Sequence, residues 1–370
     1  MLTRRKFIAA ASLAGAGAAM AGFAFNSHLK AGAAYEHAIQ QTWRHTQGDS
    51  SRASVLMREL VRYATLAPSS HNTQCWKFEV KDRAVSILPD LQRRCPVVDP
   101  DDHHLFVSLG CAAENLIQAA AAMGLRGEAV FTENSSESLE ISLSPMKAVK
   151  SPQFEAIPIR QSTRGEFDSR PLPAEELRLL EATGKGDGVK VLLVTDRRAM
   201  ENVLDYVVQG NIIQMRDPAF VKELKKWIRF NGSQAAKSGD GLFSGSSGNP
   251  SVPSWLGRLL FDLFFTVTKE SDKYARHVRS SAGIAVFVSE VDDKAHWVEA
   301  GRVFERFALQ AAVLGIRNSH LNQPVEAPSL RPEFANMLGL KGKRPDLVVR
   351  FGRGPEMPRS LRRPVEAVLV

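Results

Sequence analysis

The segment Pro158-Ile159-Arg160-Gln161-Ser162-Thr163-Arg164 places two arginines four positions apart, with a hydroxyl side chain between them. On a helix, residues four apart lie on one face, so the two guanidinium groups would be presented together. Such forked, permanently charged donors suit a phosphate, and a helix start nearby would add backbone N–H groups and a favourable dipole. The pattern by itself fits a solvated basic turn with a serine cap equally well. A phosphate-binding segment is therefore a hypothesis that needs support from elsewhere in the chain.

That support comes from a resemblance to the nitroreductase superfamily of FMN enzymes, whose phosphate and flavin segment usually has the form R-R-S-x-R followed by Phe and Pro. Here Phe167 and Pro171 stand at the corresponding places. Residues 67–76 read A-P-S-S-H-N-T-Q-C-W and are similar to the family's A-P-S-x-x-N-x-Q-P-W loop, with Cys75 replacing the usual proline. Near its end the chain reads R-R-P-V-E-A-V from Arg362 to Val368, which looks like the family's R-x-P-x-E-E-V. From Ala53 to Val370 the pattern resembles the twin-arginine-exported, Acg-type FMN-binding oxidoreductases, in which two halves are fused.

The resemblance implies FMN as the cofactor and assigns roles to particular positions. The phosphate would lie among Arg160, Ser162 and Arg362, and Arg164 would lie nearer the pyrimidine edge of the flavin. A backbone amide in the loop 318–324 would reach the flavin N5 atom. The implied cofactor-binding residues are Arg160, Gln161, Ser162, Arg164, Pro68, Ser69, Ser70, Asn72, Leu321, Asn322 and Arg362. No side chain need act as an acid or base, so we predict no catalytic residue.

The chemistry of the residues is compatible with this assignment for the loop after Ala67. Its serine and asparagine side chains can offer hydroxyl and amide groups to a polar ring edge or a ribityl chain. A polar turn between a helix and a strand would have the same composition.

An internal repeat indicates the fold. Gly110, Glu114 and Gly124 recur at one constant offset as Gly301, Glu305 and Gly315, on two Ala-rich helices. Such self-similarity is typical of duplication, although two Ala-rich helices can also match by chance. We predict an α+β, nitroreductase-like fold with a first half at 50–150 and a second half at 151–370, forming an intramolecular pseudo-dimer.

The duplication is unequal. The first half has the Pro-Ser-Ser-x-Asn loop but no R-x-S-x-R segment, and in the second half the equivalent loop, 183–188, lacks the Ser and Asn set. The surviving parts would complete one site, so we predict one FMN per chain and a monomeric pseudo-dimer.

Residues 216–281 match neither half and are predicted to be a lid insertion. Gly239 to Pro253 is rich in Gly and Ser, which is typical of a loop. Trp255 to Phe265 is strongly apolar. We interpret it as a helix over the cofactor mouth, with a peripheral membrane-contact helix as the alternative.

The first residues predict export. Arg4-Arg5 precedes an uncharged apolar run from Phe7 to Phe25, which is the pattern of a basic n-region and an h-region. The twin arginine favours the pathway that exports folded proteins, and an ordinary secretory signal is the alternative. Residues 1–34 are thus predicted to be a twin-arginine signal. The partner would be the twin-arginine export machinery, and the protein would be periplasmic or otherwise exported, or membrane-anchored if the signal is not cleaved.

Composition excludes some classes of function. The 370 residues are 44% hydrophobic, as in a globular protein, and the net charge is +8. Basic residues are not interleaved with aromatics in runs, so no nucleic-acid partner is predicted. The three cysteines imply no disulfide framework. Cys95 and Cys111 flank His103-His104 at a spacing that matches no standard zinc site, so we predict no metal.

The functional prediction is an FMN-dependent oxidoreductase of the nitroreductase type. Electron transfer would occur in two steps through flavin N5, with a small-molecule donor and a small-molecule acceptor. The alternative is a non-catalytic protein that binds or sequesters flavin. A third class, an exported binding or structural protein without flavin, requires every landmark to be a coincidence.

Overall fold

The computed structural model describes residues 32–46, 52–133 and 137–370. The predicted export signal therefore lies outside the described residues, except for positions 32–34. In chain order the helices and strands are α1 (32–42), α2 (Ala53–Thr65), β1 (Trp76–Lys81), β2 (Ala84–Pro89), α3 (His103–Ala122), β3 (Leu125–Thr132), β4 (Ser138–Pro145), α4 (Pro152–Ala156), α5 (Ala174–Thr183), β5 (Lys185–Gly186), β6 (Val189–Val194), α6 (Arg197–Arg216), α7 (Pro218–Trp227), β7 (Ile228–Arg229), α8 (Gly232–Ser238), β8 (Leu242–Phe243), α9 (Ser254–Phe264), α10 (Val267–Arg279), β9 (Gly283–Ser289), α11 (Lys294–Val313), β10 (Arg317–His320), α12 (Gln323–Glu326), α13 (Arg331–Met337) and β11 (Arg344–Gly352).

The architecture is α+β and contains the same strand order twice. The first sheet has the order β1-β2-β4-β3, and the second has the order β10-β11-β9-β6-β5. Read from its other edge, the second sheet is β6-β9-β11-β10 with the short β5 added outside β6. Every pairing in these two sheets is antiparallel. Helix α3 precedes β3 as α11 precedes β10, so the two units share both strand order and helix placement.

The two units meet where α3 crosses α11, and neither helix can carry a side chain at the crossing. A Cβ atom built on Gly110 would lie 1.9 Å from the carbonyl oxygen of Val298, and one on Gly301 would lie 1.9 Å from that of Val107. Both helices are 20 residues long. The offset that relates Gly110 to Gly301 also relates Val107 to Val298. The close contact is therefore reciprocal, as expected of two similar units related by an approximate two-fold axis.

The second sheet is covered on both faces, and its central strand is buried along its whole length. Ala285 and Phe287 of β9 pack in the main core with α11, whereas Ile284, Val286 and Val288 pack against α6. Successive side chains of a strand point to opposite faces, which explains the division. Among the described residues, α3 is the one helix with the length and mean hydropathy of a membrane span, and most of it is buried in this core.

The insertion lies between β6 and β9, where the first unit has only the tight turn Asp82-Arg83 between β1 and β2. It comprises α6 to α10 and the small parallel pair β7–β8. The predicted range of 216–281 began too late, because α6 also has no counterpart in the first unit.

The last residues return to the first unit. The N–H of Phe78 donates to Val368 O at 2.8 Å, and the N–H of Val370 donates to Phe78 O at 3.1 Å. The tail thus adds to the edge of β1. The path of the tail from the second unit to the first places Arg362 at the C-terminal end of α2.

We predict that Gly301→Ala lowers the free energy of unfolding by about 1–3 kcal/mol or more, because α3 and α11 must separate to admit the methyl group. Gly32→Ala is the matched control, since a Cβ there meets nothing within 4 Å. Urea unfolding measures both variants. Equal stability of the two variants would contradict the close helix contact.

Candidate functional site

The segment from Arg160 to Arg164 is extended, and the predicted helical face is wrong. Ser162 forms an isolated parallel bridge with Asn318, and the N–H of Thr163 donates to Asn318 O at 2.7 Å. The preceding helix α4 ends at Ala156, so no helix begins within the segment. In an extended chain, side chains two and four apart share one side. Arg160, Ser162 and Arg164 are therefore presented together by strand periodicity instead.

These side chains line a small polar cavity of about 70 Å³ between the two units. The predicted residues that the structure brings together here are Pro68, Ser69, Asn72, Arg160, Gln161, Ser162, Arg164 and Arg362. Trp43, Ser246, His320 and the segment from Pro358 to Ser360 complete the lining. Residues far apart in sequence thus line one cavity, from the loop after α2, the arginine segment and the tail.

Backbone carbonyls at the end of α2 hold two of the arginines. Arg362 donates through Nε to Thr65 O at 2.7 Å and through Nη2 to the carbonyls of Leu66 and Ala67. Arg160 Nη2 donates to Leu66 O at 2.6 Å. The last carbonyls of a helix lack intrahelical partners and carry partial negative charge. They can therefore anchor guanidinium groups without neutralising them.

Glu305 is the carboxylate that faces this arginine cluster. Its Oε1 atom lies 3.2 Å from Arg160 Nε, and both side chains are buried. Burial raises the pKa of Glu305 to about 7, although the charge of Arg160 opposes the rise. Burial and then the neighbouring Arg160 lower the pKa of Arg362. Among the described residues, four arginines line the cavity and no carboxylate does, so the cavity favours an anion.

The loop after α2 is strained at the cavity wall. His71, Asn72 and Gln74 have φ values of 46°, 52° and 53°, which side chains other than glycine seldom adopt. Asn72 Nδ2 donates to Gly241 O at 2.9 Å and to Leu361 O at 3.1 Å. Gln74 Nε2 donates to Gly239 O at 2.8 Å. The insertion and the tail thus hold the loop in a conformation that it would not keep alone.

A larger cavity of about 310 Å³ adjoins the small one and shares Pro68, Ser69, Arg164 and His320 with it. Its size is at the lower end of the range for ligand pockets. Its aromatic lining consists of Phe220, Phe243, Phe261, Phe265, Tyr274 and Phe304. Ser70 and Asn322, both predicted site residues, also line this cavity.

Arg164 stands where the two cavities join. Nη1 donates to Ser246 Oγ at 3.4 Å, and Arg164 forms no ion pair with a carboxylate in the described part of the chain. Burial lowers the pKa of its guanidinium. Most of its donors are therefore directed at space that a ligand could fill.

Leu321 is the predicted residue that the structure does not bring to either cavity. Its N–H donates to Val348 O at 2.7 Å, and its side chain packs in the core beneath α6. Neighbouring Asn322 is tied to the same strand, because Val348 N–H donates to its Oδ1 at 3.0 Å. The loop is drawn onto β11, which takes the Leu321 amide away from the site.

Sequence reasoning missed several lining residues. His320 lines both cavities, and its buried Nδ1 has no hydrogen-bond partner. Burial lowers the pKa of His320 to about 3, so its ring is neutral. Arg359 donates to Pro158 O at 2.6 Å. The basic character of the tail could have indicated Arg359. Tyr274 also lines the larger cavity, and nothing in the sequence indicated it because the insertion matches no family segment.

Asp99, His103 and His104 form a buried cluster whose possible ligand atoms lie within 4.8 Å of one another. The oxygens of Asp99 accept the backbone N–H groups of His104 and Leu105 at 3.0 Å, at the start of α3. His103 Nε2 lies 3.0 Å from Asp346 Oδ1. Helix capping and a buried histidine–carboxylate pair account for these contacts.

The site and fold thus define an α+β chain in which two similar units enclose a cationic cavity that opens into an aromatic one. No protein-family model matches the chain. The chain is 24% identical over 324 residues to the Mycobacterium tuberculosis protein "Putative NAD(P)H nitroreductase Rv3131", covering 85% of this chain and 90% of that one. It is 23% identical over 337 residues to acg, a protein of the same description and organism, covering 86% and 97%. These matches support a relationship to the nitroreductase superfamily along most of the chain.

A solved structure of a nitroreductase with bound FMN from Desulfitobacterium hafniense is 12% identical and covers 58% of this chain and 94% of its own. Its TM-score is 0.36. A superposition this poor is too weak to place a ligand in the cavities.

We predict that Glu305 makes the ligand-free protein less stable as the pH rises. The pKa of Glu305 is about 7 in the folded protein and 4.5 ordinarily, so between these values the folded state binds the extra proton. Proton binding by Glu305 adds to the free energy of unfolding, and this added stability is complete below pH 4.5. It is lost, by an amount on the order of 3 kcal/mol, as the pH rises through 7. Urea unfolding at pH 5 and pH 8 should show the stability of the wild type falling relative to that of Glu305→Gln.

Glu356→Gln is the control, because Glu356 is exposed and pairs with Arg317 at the surface. The same pH dependence in the wild type and both variants would contradict a buried, protonated Glu305.

Proposed function

We propose that this chain binds one FMN between its two units and works as an oxidoreductase of the nitroreductase type. One observation carries the proposal: a small cavity lined by Arg160, Arg359 and Arg362 opens, at Arg164, into a larger aromatic cavity. A ligand with an anionic group at one end and an aromatic ring system at the other fits this shape and charge. The relatives named as NAD(P)H nitroreductases support the same class.

The residues present fit FMN on physical grounds. The small cavity has excess positive charge, and nearby His320 Nδ1 and Asn318 Oδ1 are buried without hydrogen-bond partners. Forked guanidinium donors bind a phosphate well. Arg160, Ser162 and Arg362 would hold the phosphate, and the aromatic cavity would receive the ring.

FMN, when bound, supplies the transfer of electrons between a donor and an acceptor. The contribution of the chain is position and charge. Arg164 at the junction would hold a fixed positive charge beside the pyrimidine edge and stabilise negative charge on the reduced ring. Glu305 would compete with the phosphate for Arg160, so its protonation state would set how strongly Arg160 attracts the phosphate.

One cofactor per chain follows from the unequal duplication. Glu114 is the counterpart of Glu305, but its Oε2 accepts from Arg306 Nη1 at 2.9 Å and lies 3.7 Å from Arg302 Nε. Arg306 also pairs with Glu299 at 3.0 Å. The arginines at this second position are therefore matched by carboxylates, which removes the excess charge that would attract a phosphate. A monomeric pseudo-dimer would suffice to build the site.

The enclosure of the site favours a second candidate, a protein that holds FMN without turnover. Residues of the insertion bond to the loop after α2 at Asn72 and Gln74. A clamped loop of this kind slows the exchange of ligands. If the chain is exported, the reductant NAD(P)H is also not expected as a pool at its destination.

We further propose that the chain is exported after folding, as the twin arginine and the apolar run from Phe7 to Phe25 indicate. Replacing Arg4 and Arg5 by lysine keeps the charge but removes the motif, so the double variant should stay in the cytoplasmic fraction on immunoblots. Lys30→Arg is the control. Continued export of the double variant would support an ordinary secretory signal.

We predict that Arg362→Gln weakens FMN binding about 10- to 100-fold, because a buried positive charge beside the phosphate is lost. Riboflavin has the same ring but no phosphate, so its affinity should change little. Fluorescence titration of both ligands separates a phosphate contact from a general loss of structure. Arg353→Gln is the control, since Arg353 pairs with Glu176 away from both cavities.

Equal weakening of FMN and riboflavin would overturn the phosphate assignment. Anaerobic titration of the FMN-loaded protein with NADPH then distinguishes the two candidates. Bleaching of the flavin band supports the oxidoreductase, and a stable band with NADPH supports a holding protein or another reductant.

A further inference from the structure

Helix α9 carries an apolar stripe on its outer surface. Trp255 is 70% exposed, Leu259 is 49% exposed and Leu263 is 59% exposed. Residues four apart lie on one face of a helix, so these three side chains form a continuous row. Phe264, which is 53% exposed, follows at the end of the helix. A concentration of large exposed apolar side chains on one helix marks an interaction surface better than scattered ones do.

The opposite side of α9 belongs to the protein. A Cβ atom on Gly257 would lie 2.6 Å from the ring of Phe230, so the helix packs closely there. Phe261 and Phe265 stack at 4.4 Å and line the larger cavity. The inner face of α9 therefore packs against the rest of the insertion. The outer row remains without a protein partner in the described residues.

The charges around the outer row are positive. Within α9 the charged residues are Arg258 and Asp262. Lys225 Nζ bonds both carboxylate oxygens of Asp262, at 2.6 and 2.7 Å, which neutralises that charge. Arg258 is exposed and forms no ion pair with a described carboxylate. Lys269 Nζ lies 4.1 Å over the ring of Phe264, so a second cation stands at the end of the row.

We propose that this face of α9 docks on the surface of an anionic lipid bilayer. A helix that lies in a membrane interface has apolar side chains toward the acyl boundary and cations at the headgroups. Tryptophan favours this interface because its ring is apolar and its N–H is polar. The net charge of +8 adds attraction to an anionic surface.

A second copy of the chain fits the face less well. Stable dimers usually bury about 800 Å² per partner, with some 20–30 residues a side. The outer row of α9 offers three large apolar side chains, with Phe264 beside its end, whereas a membrane needs only a narrow row. Docking through α9 would also place the larger cavity next to the bilayer, since the same helix forms part of its wall.

Brominated lipids test the contact directly. Vesicles of phosphatidylcholine with brominated phosphatidylglycerol are mixed with the full chain, and tryptophan fluorescence is recorded. Trp76, Trp227 and Trp297 are buried, and a Trp255→Phe variant measures the signal of every tryptophan except Trp255. Quenching of Trp255 is expected with the anionic vesicles, and less of it with vesicles of brominated phosphatidylcholine alone or at high salt. A tether elsewhere in the chain does not by itself bring Trp255 to the lipid.

The double change Leu259→Ser with Leu263→Ser should reduce the quenching by more than half while keeping the reporter. Val130→Ser, at a 60% exposed valine on β3, should leave it unchanged. Unquenched Trp255 in the wild type would overturn the proposal, and so would a dimer in sedimentation velocity that the double change makes monomeric. FMN affinity of the variants is measured separately, so failure of the membrane contact is distinguishable from failure of cofactor binding.

Discussion

The crossing of α3 and α11 is the constraint on which the rest of the structure depends. Gly110 and Gly301 each face a backbone carbonyl of the other helix, so the two units approach as closely as their backbones allow. That distance sets where the end of α2 in the first unit stands relative to β10 of the second. The small cavity occupies this seam, and it exists only while both units keep their positions.

Electrostatics at the seam depends on helix ends more than on ion pairs. Arg362 is held by three backbone carbonyls at the end of α2, and Arg160 by one of them and by Glu305. Carbonyl dipoles fix a guanidinium group in place but leave its full charge. A carboxylate for each arginine would have produced a neutral, closed cluster, as around Glu114. The cavity stays cationic because four arginines line it, and Glu305, which pairs with Arg160 behind the lining, has a raised pKa.

The sequence named residues that line the two cavities but did not give the geometry that brings them there. Chemical character identified Arg160, Ser162 and Arg164, yet residues four apart can share a side in a helix or in an extended chain. The bridge from Ser162 to Asn318 decides between them, and this bridge joins segments that are far apart along the chain. Leu321 is a second example in which local sequence could not predict the geometry. Its N–H donates to Val348 O, and local patterns do not reveal this distant partner.

The repeat was visible because glycine and glutamate recur at one offset in two helices, and the strand order of the two sheets follows the same repeat. The start of the insertion was not visible, since α6 has the apolar periodicity of any helix that covers a sheet. Its role depends on the second face of β9, where Ile284, Val286 and Val288 need cover. In the first unit, Glu140 and Ser142 of β4 are polar and exposed on the face opposite the core, so that face needs no covering helices.

The insertion therefore combines several tasks that differ in physical origin. Through α6 it buries the outer face of the second sheet, which stabilises that unit by the hydrophobic effect. Through Gly239 and Gly241 it holds the strained loop that forms one wall of the small cavity. Through Phe261 and Phe265 it closes the larger cavity. Phe261 and Phe265 lie on the inner side of α9, and Trp255, Leu259 and Leu263 lie exposed on its outer side, so one helix provides both a cavity wall and an external surface.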